Sequence, residues 1–188
     1  MPDPEAVRER LLRSGARLGF AGVMTDVRYD RNGELASRDE VLRLRLFRGA
    51  AGARAVIGWK GPVTISPGGL KTRRELEYEI TSGRASPEAF PEALGYLPVH
   101  TIERYVEYYE LGTAEARLEW YPRMDTLIEI EGDAEGIDAA IRATGMPRTA
   151  FTPEALSAFS GRYALRTGSA AAMTLAELGP ELPQWPPR

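Results

Sequence analysis

The chain contains no cysteine and only one histidine, His100. The first absence excludes disulfides, thiolate-bound zinc and cysteine nucleophiles, and fits a reducing compartment. The second excludes a multi-histidine metal centre. A basic excess is missing too: 24 Lys and Arg stand against 27 Asp and Glu, giving a net charge of -3 and a pI near 5.4. That balance argues against a general nucleic-acid binder and leaves room for a local basic site. No apolar run approaches the roughly 20 residues that cross a bilayer, and the N-terminus has no signal-peptide core. No membrane partner is therefore expected, and the cytoplasm is the default location. Internal repeats, coiled coils and low-complexity segments are also lacking.

What is present is alternation. In Asp39 to Phe47, DEVLRLRLF, leucines and arginines alternate strictly, the mark of a β-strand with two chemically different faces. Leu42, Leu44 and Leu46 point one way and Arg43 and Arg45 the other. The pattern returns in Arg73 to Ile80, where Arg73, Glu75, Glu77 and Glu79 oppose Leu76, Tyr78 and Ile80. It returns again in Leu127 to Glu131, where Glu129 and Glu131 oppose Ile128 and Ile130. Three separated strands thus carry rows of charge.

The 188 residues, 43% hydrophobic and 27% charged, suffice for one soluble domain with a sizeable core. Pro2-Asp3-Pro4-Glu5 opens a helix with Val7, Leu11 and Leu12 as its stripe and Gly15 as its stop. Extended structure follows from Ala16 to Tyr29, then a turn at Asp30-Arg31-Asn32-Gly33. Ala53 to Lys60 is a strand stopped by Gly61-Pro62, and Ser66 to Gly69 is a loop. Ser86-Pro87-Glu88 precedes a short helix through Leu94. Val99 to Leu111 and Ala114 to Trp120 form a hairpin turned at Gly112-Thr113. A helix over Asp133 to Thr144 follows the third charged strand, and a last one spans Pro153 to Phe159. The proline-rich residues 180–188 read as loosely held. The order of elements is that of an α+β fold on antiparallel hairpins and meanders, with residues 1–147 as the main domain and 148–188 as a C-terminal helix and tail.

Two readings of the charged rows stand side by side. An open sheet would turn them to water; a sheet curled into a barrel would enclose them in a polar cavity. Charges about 5 Å apart interact by roughly 3 kcal/mol at an effective dielectric near 20, so an enclosed row must mix signs. The mix suits a polyphosphate and its metal. Arg43, Arg45, Lys60 and Arg73 are donors for phosphate oxygens, and Glu75, Glu77, Glu119, Glu129 and Glu131 are oxygen ligands suited to Mg²⁺ or Mn²⁺. For each residue singly, a cross-strand salt bridge is the plainer role.

The stretches PEAVRERLLRSGA, TDVRYD, ELASRDEVLRLRLF, WKGP, KTRRELEYE and IEIEG, in that order and spacing, resemble the CYTH superfamily of class IV adenylyl cyclases and thiamine triphosphatases, most of all the cyclase branch. The resemblance runs from about Pro4 to Thr144. It implies an eight-stranded antiparallel barrel with a tunnel that binds an organic or inorganic triphosphate (ATP, thiamine triphosphate or tripolyphosphate) with Mg²⁺ or Mn²⁺. Arg43, Arg45, Lys60 and Arg73 would contact phosphates, Glu129 and Glu131 would help hold metal, and Arg104 sits where the family has a basic residue. Water as the attacking group would make a triphosphatase, a ribose 3′-hydroxyl a cyclase. The chain departs from the pattern in three ways. The family's opening E-x-E-x-K strand has no counterpart before the first helix. Glu119 replaces an aspartate. Val106 replaces an arginine, and Met124-Asp125 a leucine-glycine pair. From the first departure follow two further expectations: a phosphate-binding protein without turnover, and a homodimer formed along the sheet edge left uncovered.

Overall fold

In the computed structural model of the chain, which describes residues 3–81 and 86–186, Asp3 caps the first helix. Its carboxylate accepts the Glu5 N–H at 3.0 Å, and α1 spans Pro4–Arg13. Pro2, part of the expected helix start, lies outside the described residues, as do the last two residues of the tail. Of the expected stripe, Val7 and Leu11 are buried while Leu12 is exposed. The strands follow as β1 (Arg17–Asp30), β2 (Val41–Gly49), β3 (Gly52–Lys60), β4 (Thr64–Ile65), β5 (Lys71–Thr72) and β6 (Glu75–Ile80). Helix α2 (Ala89–Ala93) leads to β7 (Leu97–Leu111), β8 (Ala114–Trp120) and β9 (Leu127–Gly132), and α3 (Ala134–Thr144), α4 (Leu156–Thr167) and α5 (Leu175–Leu178) complete the chain.

The fold class is the expected one, α+β on an antiparallel sheet. Seven strands join in the order β6-β3-β2-β1-β7-β8-β9, and β4 and β5 form a separate small hairpin. The leucine-arginine strand starts at Val41 rather than Asp39, because Asp39 adopts a left-handed conformation with φ 53 and ends a 3₁₀ turn. The glutamate strand starts at Glu75 rather than Arg73, since Lys71–Thr72 pairs with Thr64–Ile65 instead. The last long helix spans Leu156–Thr167, later and longer than expected, and stops only where Gly168 supplies a positive φ of 71.

Two compact units divide the chain: Met1–Gly22 with Arg104–Arg188, and Val23–Glu103. In the first, period-two alternation sends Tyr109, Ala116, Leu118 and Trp120 to the face that Val7 and Leu11 of α1 cover, joined by Ile128 and Ile130. The C-terminal segment belongs to this unit. Arg123 and Ala172 form a β-bridge, Leu178 is buried, Arg123 pairs with Glu181 at 3.1 Å, and Trp185 packs against the core. Residues 180–186 of the tail have neither helix nor strand, as their prolines dictate, yet Glu181 and Trp185 anchor them. Gly132 allows the end of β9 to press on the β7–β8 turn: its φ is 152, and a Cβ there would meet the Thr113 carbonyl at 2.8 Å.

In the second unit, Leu44, Ala55 and Tyr29 form the core, flanked by Leu42, Leu46, Ile57, Ile80 and Tyr96. The leucine face of β2 is thus the buried apolar face, and its arginines occupy the opposite one. No helix among the described residues is long and apolar enough to cross a membrane.

Candidate functional site

The arginine face of the second unit is built by register. In the β2–β3 hairpin Arg43 lies opposite Gly58, and in the β3–β6 pair Gly58 lies opposite Glu77. The three form one rung across the sheet. Because Gly58 has no side chain, Arg43 reaches over it, and its Nη2 donates to Glu77 Oε1 at 2.7 Å. A Cβ on residue 58 would meet Glu77 Cγ at 3.2 Å. One rung along, Lys60 lies opposite Glu75, and its Nζ donates to Glu75 Oε1 at 2.5 Å.

Asp26 of β1 supplies the third anion. It is 3% exposed and stands between two guanidiniums: Arg45 Nε donates to its Oδ2 at 3.3 Å, and Arg43 Nη1 lies 3.6 Å from the same oxygen. Arg45 also reaches Glu77 Oε1 at 3.5 Å. Arg43 and Arg45 are only 9% and 7% exposed. Burial and the adjacent Arg45 pull the Arg43 pKa below its usual value, while Asp26 and Glu77 act to restore it. Burial would raise the Glu77 carboxyl, but the Arg43 hydrogen bond and the charges of Arg45, Arg43 and Lys60 outweigh it and hold the group below its ordinary range. The result is a cluster in which three buried cations, Arg43, Arg45 and Lys60, are matched by three carboxylates, Asp26, Glu75 and Glu77, while on the same face the exposed Arg54 lies 3.9 Å from Glu79. Arg43 Nε is buried without a hydrogen-bond partner, a state that costs about 1–3 kcal/mol.

Arg73 does not join this group. Its Nε donates to the Gly61 carbonyl at 2.6 Å and its Nη2 to the Asp39 carbonyl at 2.9 Å, so it fastens the β3–β4 connection to the start of β2.

The first unit holds the other named residues. Arg104 and Glu119 are both buried, with Arg104 Nε 3.5 Å from Glu119 Oε1, which accounts for an arginine on the same face as Ile102 and Val106. The Tyr121 hydroxyl donates to Glu119 Oε2 at 2.5 Å. Burial raises the Glu119 pKa above its usual 4.5, against the pull of Arg104, and burial and Glu119 together raise that of Tyr121. A carboxyl whose pKa is raised on folding binds its proton more tightly in the native state. Its contribution to stability therefore falls as pH rises from about 4.5 through the raised value. Glu119→Gln, which keeps the shape and removes the titration, is expected to lose less stability than the wild type over that rise. The check is the melting-temperature difference between the two proteins, which should widen with pH.

Glu129 and Glu131 of β9 are half-exposed and accept hydrogen bonds from Arg117 of β8. Mg²⁺ and Mn²⁺ need several oxygens converging on one point. Among the described residues no group of three or more carboxylate or imidazole side chains is placed to hold a metal ion. Each of the five glutamates named from the sequence already meets a cationic side chain: Glu75 meets Lys60, Glu77 meets Arg43 and Arg45, Glu119 meets Arg104, and Glu129 and Glu131 meet Arg117. This donor set does not fit a resident metal.

Three participants escaped the sequence reading. Asp26 had a signal, as the single acid in the buried row Gly22, Met24, Asp26. Arg117 had one too, since Glu115, Arg117 and Glu119 alternate with Ala116, Leu118 and Trp120. Tyr121, just past the strand, had none.

The site and the sheet together define an α+β protein whose antiparallel sheet carries paired charges on the face away from its apolar cores. No protein-family model and no curated protein matches the sequence. Solved structures do share the fold. An adenylate-cyclase candidate from Vibrio parahaemolyticus superposes with a TM-score of 0.69 at 16% identity, over 85% of this chain and 92% of that one. PH1819 of Pyrococcus horikoshii gives 0.63 at 20% identity, covering 89% and 96%. HpAC1 of Hippeastrum, a cyclase candidate with a dominant triphosphatase activity, gives 0.53 at 18% identity, covering 92% and 95%.

Proposed function

We propose that the chain processes a triphosphate of the kind taken by class IV adenylyl cyclases and organic triphosphate hydrolases, with Arg43, Arg45 and Lys60 as its phosphate contacts. The observation that carries this reading is the buried arginine pair on one face of β2, with a third cation on β3 and one guanidinium donor left unpaired. Arginine forks suit phosphate oxygens, and low exposure strengthens each such contact. A phosphate displacing Glu75 and Glu77 from their cations would leave the carboxylates on the exposed strand β6. Because the three cations are already matched by three carboxylates, a divalent ion would arrive with the polyanion rather than wait for it. Mg²⁺ or Mn²⁺ is the expected companion. It would supply charge neutralisation on the phosphate oxygens.

The chain's own part is to position and neutralise, which accounts for most catalysis in phosphoryl transfer. Hydrolysis is the first reaction to test, because HpAC1, which shares the fold, is chiefly a triphosphatase. Water attacks the terminal phosphorus, the bond to the bridging oxygen breaks, and orthophosphate leaves. In the cyclase case the ribose 3′-hydroxyl attacks the α-phosphorus, the bond from that phosphorus to the α,β-bridging oxygen breaks, and pyrophosphate leaves. The assay is release of phosphate or pyrophosphate from tripolyphosphate, thiamine triphosphate and ATP with Mg²⁺ or Mn²⁺. Turnover of one of them is expected, and no turnover of any would sink the enzymatic reading. The competing reading is a phosphate binder without turnover, favoured by the carboxylates' prior engagement. It predicts thermal stabilisation by tripolyphosphate in the absence of product.

A homodimer along β6 is disfavoured. An antiparallel self-pairing would set Glu75, Glu77 and Glu79 against the same three residues of a second copy, the like-charge device that guards sheet edges.

A further inference from the structure

The first unit carries a charged cluster that the phosphate chemistry above does not use. Arg117 sits in β8, 2% exposed, directly opposite Glu129 of β9, with Glu115 opposite Glu131 one rung along. Its three guanidinium nitrogens donate to three different glutamates: Nε to Glu115 at 2.8 Å, Nη1 to Glu129 at 3.2 Å, and Nη2 to Glu131. The Tyr108 ring of β7 lies 5.2 Å from the guanidinium carbon, adding a cation–π contact.

We infer that Arg117 is a built-in counter-ion occupying the position that a divalent metal would need among Glu115, Glu129 and Glu131. The carboxylate pair of β9 therefore holds no resident metal in this chain. Three physical points support this. A guanidinium does not deprotonate in proteins, so its charge at the cluster is permanent. A dication approaching the same oxygens would meet a fixed like charge at close range. The side chain is also anchored on both sides of the strand pair, since its donors reach along β8 and across to β9, so it cannot swing out without abandoning three glutamates at once. The outer oxygens of the half-exposed glutamates stay in water, which tolerates the cluster's remaining negative charge. The inference stands on the first unit alone and does not require that phosphate binds in the second.

The test is Mn²⁺ binding followed by electron paramagnetic resonance, on the full chain without nucleotide. The wild type and Glu129→Gln/Glu131→Gln should bind Mn²⁺ equally weakly. Arg117→Met, which keeps the apolar stem and deletes the charge, should bind it at least tenfold more tightly, and adding Glu129→Gln and Glu131→Gln to that variant should reverse the gain. Saturable binding by the wild type that weakens tenfold in Glu129→Gln/Glu131→Gln would overturn the inference. So would a folded Arg117→Met with no gain. If Arg117→Met does not fold, as judged by circular dichroism, the wild type against Glu129→Gln/Glu131→Gln decides alone.

Discussion

Asp26→Ala is expected to destabilise the protein by about 3–5 kcal/mol, the usual effect of removing one partner from a buried charge pair. The size follows from the position of the carboxylate. Asp26 has its Oδ2 3.3 Å from Arg45 Nε and 3.6 Å from Arg43 Nη1, and both guanidiniums are buried. Without it, two permanent positive charges lie side by side with Glu77 as the nearest remaining anion. Asp26→Asn keeps volume and one acceptor, and should lose less. Urea unfolding reads both. A polyanion tests the same idea from the other direction: tripolyphosphate with Mg²⁺ should raise the melting temperature of Asp26→Asn by more than that of the wild type, because it replaces the missing negative charge. Equal stability of Asp26→Asn and the wild type would mean that the arginines are held by something other than charge.

Arg45→Ala is the second large effect. Hydrogen bonds to charged groups contribute about 1.5–3 kcal/mol each, so losing this fork should weaken triphosphate binding by roughly 10- to 150-fold. Arg43→Ala should act similarly and also release Glu77 from the rung over Gly58. Stability should respond differently from affinity. Either variant leaves Asp26 buried beside one arginine instead of two, so some stability is lost in the apo protein. The ligand-dependent gain, RT ln(1 + [L]/Kd), should fall to about 0.3–1.4 kcal/mol at ligand concentrations that give the wild type about 2.7 kcal/mol. Arg73→Ala is the contrasting case. Its guanidinium holds two backbone carbonyls, and a change in affinity there would show only through the β3–β4 connection.

The parts of this account legible in the sequence are those that alternation encodes. Period two placed Leu42, Leu44 and Leu46 in a core and Arg43 and Arg45 on the other face. It likewise separated Ile128 and Ile130 from Glu129 and Glu131, and both separations hold. Capping chemistry located α1 through Asp3, and the helix expected over Asp133 to Thr144 is α3, where the Asp133 carboxylate accepts the Gly136 N–H at 2.8 Å. What alternation cannot encode is which strand lies beside which. The pairing of Arg43 with Glu77 across Gly58 depends on register across three strands, and the glycine gives no chemical hint of it. Arg73 obeyed the pattern and was drawn elsewhere because the β4–β5 hairpin brings it to the Gly61 and Asp39 carbonyls. For a related reason the strand that carries Glu129 and Glu131 does not reveal that both already meet Arg117 of the neighbouring β8.

The most direct test of the central claim is a calorimetric titration of tripolyphosphate with Mg²⁺ into the wild type and into Arg43→Ala/Arg45→Ala. A single saturable site in the wild type, absent or at least 100-fold weaker in the double variant while its circular dichroism stays native, is the predicted result. Undiminished binding by a folded double variant would contradict the claim that this arginine face receives the polyanion.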